Sequence, residues 1–113
     1  MDKIAKYREA ILSFFNNYLA ETAPMLDSTI EYSILSDKEN LNFQLLSSGW
    51  RGKHFVFGPL FHFEIKNEKI WMQCNNTERE VVDELMANGI NKQDIVLGFL
   101  PPYAREHSGF AVA

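Results

Sequence analysis

A single cysteine, Cys74, leaves the chain with no internal disulfide. No run approaches the ~18 apolar residues of a membrane span, and the opening MDKIAKYREA lacks the apolar centre of a secretion signal. Together these absences point to the cytoplasm and to no membrane partner. Neither GxGxxG nor GxxxxGKS/T occurs, so there is no glycine-rich loop to cradle a phosphate. Positive charge is also sparse. Eleven Lys and Arg stand against fifteen Asp and Glu, for a net charge of −4, and no two of the cations are adjacent. DNA binders gain most of their affinity by neutralising phosphates, so this balance disfavours unaided DNA contact. A local basic patch made by folding is the one route left open.

What is present is material for one core. Of 113 residues, 46% are hydrophobic and 13% aromatic, with nine Phe, which argues against disorder. A chain of this length supports a single domain, 1–113, hiding roughly two thirds of its unfolded surface.

Residues 2–20 read as an amphipathic helix. Ile4, Tyr7, Ile11, Phe14 and Tyr18 step by three and four, and Leu12, Phe15 and Leu19 widen the stripe. Asp2 suits the N-terminal dipole and Pro24 marks the exit. The helix is expected to cover a sheet; pairing with another chain is the less ordinary use.

Four alternating runs follow. Ile30, Tyr32 and Ile34 form the first, Asp37 to Asn40 a turn, and Leu41, Phe43 and Leu45 the second. A four-residue loop there sets Ile34 opposite Phe43 and Tyr32 opposite Leu45. Phe55, Phe57, Phe61, Phe63 and Ile65 share the odd parity of Leu41, Phe43 and Leu45. Two antiparallel strands with buried faces of like parity need an odd loop, and Trp50-Arg51-Gly52 supplies three residues with Gly at the left-handed position. Gly58-Pro59 marks a bulge or an edge. Asn67-Glu68 turns the chain into Ile70, Met72 and Cys74, pairing Ile65 with Ile70, Phe63 with Met72, Glu64 with Trp71 and His62 with Gln73.

Thr77 to Glu80 has the form of a capping box opening a second helix, with Val81, Val82, Leu85 and Met86 inward, Gly89 as C-terminal cap and Ile90 packed behind it. Asn91 to Gln93 make one turn into a strand from Ile95 to Phe99, ended by Pro101-Pro102. Phe110 and Val112 are candidate anchors for the tail. These elements describe an α+β fold of two layers, an antiparallel sheet of four to five strands packed against an N-terminal helix and a second helix.

Chemistry is thin. His62, Glu64, Trp71 and Gln73 fall on the non-core face of one hairpin, where His62 as base with Glu64 as orienter is the catalytic reading. No nucleophile, oxyanion hole or second acid accompanies them, so catalytic residues: none. An uncovered face bearing Trp71 and Val56 suits a partner or a homo-oligomer contact better. Cys74 reads as a small hydrophobe. His54, His62 and His107 lack metal-ligand spacing, so neither metal nor cofactor is expected. Arg105 and His107 could meet an anion or a partner, though such loop residues are mostly just solvated.

The sequence resembles the XisI family, the fdxN-element excision controlling factors. The carrying residues are Phe43-Gln44-Leu45-Leu46 before Gly49-Trp50, His62-Phe63-Glu64-Ile65, Lys69-Ile70-Trp71-Met72-Gln73 and Thr77-Glu78. They continue through Gly89-Ile90, Lys92 to Phe99, Pro102, Arg105 and Phe110-Ala111-Val112, with Met1-Asp2-Lys3 and Tyr7-Arg8 at the start. Phe43 stands where the family more often has Tyr, Cys74-Asn75-Asn76 where it is usually more acidic, and Asn91 where Pro is common. The resemblance implies a non-enzymatic accessory factor. It would act with a XisH-type, nuclease-like partner in DNA rearrangement, as in heterocyst-forming cyanobacteria. The alternative is a small ligand-binding domain or enzyme using the face of His62, Glu64, Trp71 and Gln73.

Overall fold

Helix α1, Lys3–Thr22, is capped by Asp2, whose carboxylate accepts from the Ile4 amide at 3.0 Å. In this computed structural model, which describes residues 2–23 and 29–113, the expected exit at Pro24 lies outside the described residues. The inward stripe of α1 is Tyr7, Ala10, Ile11, Phe14 and Phe15, all buried. It lies on a five-stranded sheet in the order β1 (Ile30–Asp37), β2 (Asn42–Arg51), β3 (His54–Lys66), β4 (Lys69–Asn75) and β5 (Ile95–Leu97). The contact is largely aromatic: Phe14 meets Phe61 edge-on at 4.9 Å, and Tyr18 meets Phe61 edge-on at 5.0 Å. The α+β architecture follows the sequence expectation, with one refinement. The first four strands are antiparallel, while β5 joins β4 in parallel because helix α2, Val81–Ala87, carries the chain across between them.

Register departs from expectation at the turns. Ile34 lies opposite Leu45 and Ser36 opposite Phe43, two residues from the expected pairing. Asp37 is the reason. Its carboxylate accepts from the Glu39 and Asn40 amides at 3.0 and 3.1 Å, so it opens the turn as the last strand residue, and Leu41 takes the left-handed position at φ 56. The shift of two preserves which side chains face the core.

The β2–β3 turn has two residues, Gly52-Lys53, with Arg51 opposite His54, in place of the expected Trp50-Arg51-Gly52 loop. Parity is repaired elsewhere. Leu45 pairs with Phe61 but Leu46 with Pro59, so Leu60 is a bulge beside the Gly58-Pro59 step. Beyond it the side-chain alternation inverts. Phe61 and Phe63 are buried, whereas Phe55 and Phe57, expected alongside them, are exposed. Asn76 holds the bulge, its amide donating to the Leu60 carbonyl at 2.8 Å and its side chain to the Pro59 carbonyl at 2.9 Å.

The β3–β4 turn is as expected, with Asn67 and Glu68 both at positive φ and Ile65 opposite Ile70. A second bulge follows: Phe63 pairs with Met72 but His62 with Cys74, leaving Gln73 without an opposite residue. Thr77 does not cap a helix. Its hydroxyl donates to Asn75 at 2.7 Å and accepts from the Arg79 amide at 3.0 Å, so α2 begins four residues later and the capping box is not made. Arg79 is pinned instead by Glu84 at 2.6 Å and by Glu21 of α1. At the other end, Ile90 donates to Leu85 at 3.1 Å and Gly89, at φ 91, to Met86 at 3.0 Å, the expected glycine cap. Val81 and Leu85 are buried while Met86 is exposed. A short 3-10 turn, Lys92–Asp94, leads into β5, which stops at Leu97 and leaves Phe99 exposed. Helix α3, Pro102–Arg105, then turns the tail back over the sheet. Ala111 is the buried anchor there, bridged to Val96, while Val112 is exposed.

Candidate functional site

The sheet face away from α1 carries the candidate residues, in two separate groups. In the first, the His62 ring lies between amide side chains, Nδ1 at 3.0 Å from Gln44 Oε1 and Nε2 at 3.1 Å from Asn42 Oδ1. A neutral imidazole donates at one nitrogen only, so either the ring is protonated or one amide turns its NH2 inward. Both nitrogens are occupied by strand β2, and Glu64 is not its orienter. An open groove of about 500 Å³ borders this group at the β1–β2 end, lined by Leu35, Asp37, Asn42, Gln44 and His62 among others.

The second group joins the other four candidates. Glu64 accepts from Gln73 Nε2 at 3.3 Å and pairs with Lys66 at 3.9 Å. The Lys66 ammonium lies 4.2 Å from the Trp71 ring centre, and the Arg105 guanidinium 5.1 Å from it. Arg105 is fixed by a bond from its Nε to the Leu100 carbonyl at 2.9 Å. Trp71, expected on an uncovered face, is 7% exposed and packs with Val96 and Ala111. The tail covers it, because the Ala111 amide donates to the Ile95 carbonyl at 3.0 Å and draws the last residues across β5. This group is a folded seam with two cations against one indole. The Trp71 indole N–H is buried there without a hydrogen-bond partner among the described residues.

Gly98 explains why a glycine stands in this seam. A Cβ there would overlap Gln73 Oε1 and come within 2.9 Å of its Cδ. Cys74 is half-buried, and burial pushes its thiol above the ordinary value, away from the reactive thiolate. Among the described residues no three of His, Cys, Asp and Glu gather to hold a metal ion, and no helix is long and apolar enough to cross a membrane.

The feature that sequence reasoning missed is aromatic. Trp50, Phe55 and Phe57 lie on the outer side of the β2–β3 hairpin, 56%, 57% and 66% exposed. Trp50 and Phe55 ring centres are 5.1 Å apart, and Phe55 and Phe57 stack at 6.1 Å. Gly58-Pro59 was the available signal, since a bulge there reverses the parity of everything before it.

Fold and face together define a small α+β domain of one helix-covered sheet, with an aromatic outer surface and no assembled catalytic set among the described residues. The XisI protein family model matches residues 1–112, so the chain belongs to the XisI family. A crystal structure of a XisI-like protein from Anabaena variabilis is 34% identical, with a TM-score of 0.89 over 97% of this chain and 99% of that one. The fdxN element excision controlling factor XisI from the same organism is 32% identical, with a TM-score of 0.81 over 99% and 100%. No protein with curated function matches.

Proposed function

We propose that this protein is a non-enzymatic accessory factor that acts in the cytoplasm with a XisH-type partner in DNA rearrangement. The observation that carries the reading is end-to-end likeness to a structure described as an excision controlling factor, at 32% identity over 99% of the chain. The side chains support it. His62 is engaged by Asn42 and Gln44, and Glu64 by Gln73 and Lys66, so neither is poised for acid–base work. The same engagement weighs against the alternative of a ligand-binding or enzymatic face. The net charge of −4 favours action through a protein partner over direct DNA contact.

Co-purification tests it. The tagged chain, expressed with a XisH-type protein encoded beside it, is expected to elute as one complex of fixed stoichiometry. Clean separation of the two at micromolar concentration would overturn the reading and leave the family relationship as a guide to fold.

A further inference from the structure

The β2–β3 hairpin runs on past β4, whose pairing with β3 stops at Phe61. Its two sides are unequal along this stretch. The side continuous with the core carries Ser47, Gly49, Gly58 and a single apolar side chain, half-buried Val56, expected from the sequence on the other face; the outer side carries Trp50, Phe55 and Phe57. Half-buried Leu46 and Pro59 continue the apolar strip towards Leu35, itself 48% exposed. The hairpin has turned its apolar side away from its own helix.

Charge follows the same axis. No acidic residue occurs between Asn40 and Glu64, and Lys53, with Arg51 and His54 on the core side of the strands, is exposed around the turn. Glu31 of β1, opposite Ser48, is the one exposed carboxylate on the outer side at this end among the described residues. In a chain of net charge −4, the hairpin's Arg51 and Lys53 leave the remaining residues with a net charge of −6, nine cations against fifteen carboxylates. At the far end of the same strands, the β1–β2 turn exposes the carboxylates of Asp37 and Glu39, with one cation, Lys38.

We infer that the outer face of β1–β3 docks a second copy of this chain, about a two-fold axis crossing the strands. The aromatic hairpin end of each copy then lies over the Leu35-to-Glu39 end of the other. A two-fold contact is made by one patch meeting itself, so each cationic tip receives an acidic turn and the reverse. The ten residues of β2 span about 33 Å, long enough to separate the two ends. Each Phe or Trp carries roughly 150–250 Å², so the three rings at these exposures offer roughly 350 Å². That is near half of the ~800 Å² each partner contributes to a standard interface. Leu35, Leu46, Pro59 and the polar rim supply more. This inference stands whether or not a XisH-type protein binds.

Sedimentation equilibrium of the full chain tests it. The chain is expected to be a dimer in the micromolar range. Phe55→Ser with Phe57→Ser, both on exposed rings, should weaken it at least tenfold while circular dichroism, and thermal melting at concentrations where parent and variant are both monomeric, stay unchanged. A tip variant, Arg51→Glu with Lys53→Glu, and a turn variant, Glu39→Lys, should each dimerise poorly alone. Mixed together they should pair, because both reciprocal contacts become attractive. A chain that stays monomeric throughout, or a dimer indifferent to Phe55 and Phe57, would overturn the inference. So would a monomer whose Trp50 fluorescence is quenched by a single-stranded oligonucleotide, which would make the rings a stacking platform for bases.

Discussion

The Tyr7 hydroxyl donates to Asp94 Oδ2 at 2.6 Å, tying the first turns of α1 to the 3-10 turn that feeds β5. Burial, then the bond to Asp94 and its charge, push the Tyr7 phenol far above its ordinary value. Removing the hydroxyl in Tyr7→Phe leaves Asp94, among the described residues, with Lys3 at 4.0 Å as its side-chain partner. The expected cost is about 1–3 kcal/mol, since the acceptor is charged, read by urea unfolding at neutral pH.

The same bond sets an alkaline limit. Because the folded phenol titrates above the unfolded value of 10.0, its contribution is fully present below pH 10 and is lost as pH rises beyond it. Unfolding experiments on either side of that value should show stability falling, with Tyr7 contributing a slope of at most about 1.4 kcal/mol per pH unit. Tyr18, raised by burial as well, keeps its own share in Tyr7→Phe. A variant slope as steep as the parent's would exclude the Tyr7 contribution.

Phe57 and Phe61 lie four residues apart on one strand and should behave as opposites. Phe61 is fully buried against Phe14 and Tyr18, so Phe61→Ala is expected to cost about 3–5 kcal/mol. Phe57→Ala, at a ring 66% exposed, should change monomer stability by no more than about 0.5 kcal/mol. Equal losses in denaturant midpoint would place the bulge elsewhere.

Gly98→Ala should force Gln73 out of its place and break its bond to Glu64. Overpacking of this kind costs about 1–3 kcal/mol. If the collision is the cause, Gln73→Ala in the same chain should recover most of the loss in thermal melting, a coupling that independent sites would not show.

Arg79 links the last turn of α1 to α2 through Glu21 and Glu84, with its guanidinium 5.5 Å from the Tyr18 ring centre. Arg79→Lys keeps the charge but cannot hold both carboxylates from one planar fork. The Glu21 end is well exposed and screened, so the expected loss is about 1 kcal/mol. Unfolding at low and high salt should show the parent weakened more by salt than the variant.

Helix α1 and the Asn67-Glu68 hairpin were legible because each answers to a short-range rule. The apolar positions from Ile4 to Tyr18 repeat at the helical period, and two residues suffice to reverse a strand between Ile65 and Ile70. Gly89 and Ile90 closed α2 as expected for the same reason. The start of α2 was misread at Thr77 because a capping sequence competes with other local bonds, and Asn75 took the hydroxyl. Of the candidate site, Glu64 opposite Trp71 followed from register, while His62 opposite Gln73 failed at a bulge one residue away.

Composition, charge and the two periodicities were enough to specify the α+β fold, its helix, its meander and the side chains of the central core. They act between neighbours in sequence, and the chain carries them before it folds. Which way Phe55 and Phe57 point was settled by Leu60, a single residue left unpaired and held by Asn76 from the end of β4. Whether Trp71 met solvent was settled by Ala111, forty residues further on. An alternating strand reads equally well on either face, so its orientation rests on contacts that exist only once distant segments have met.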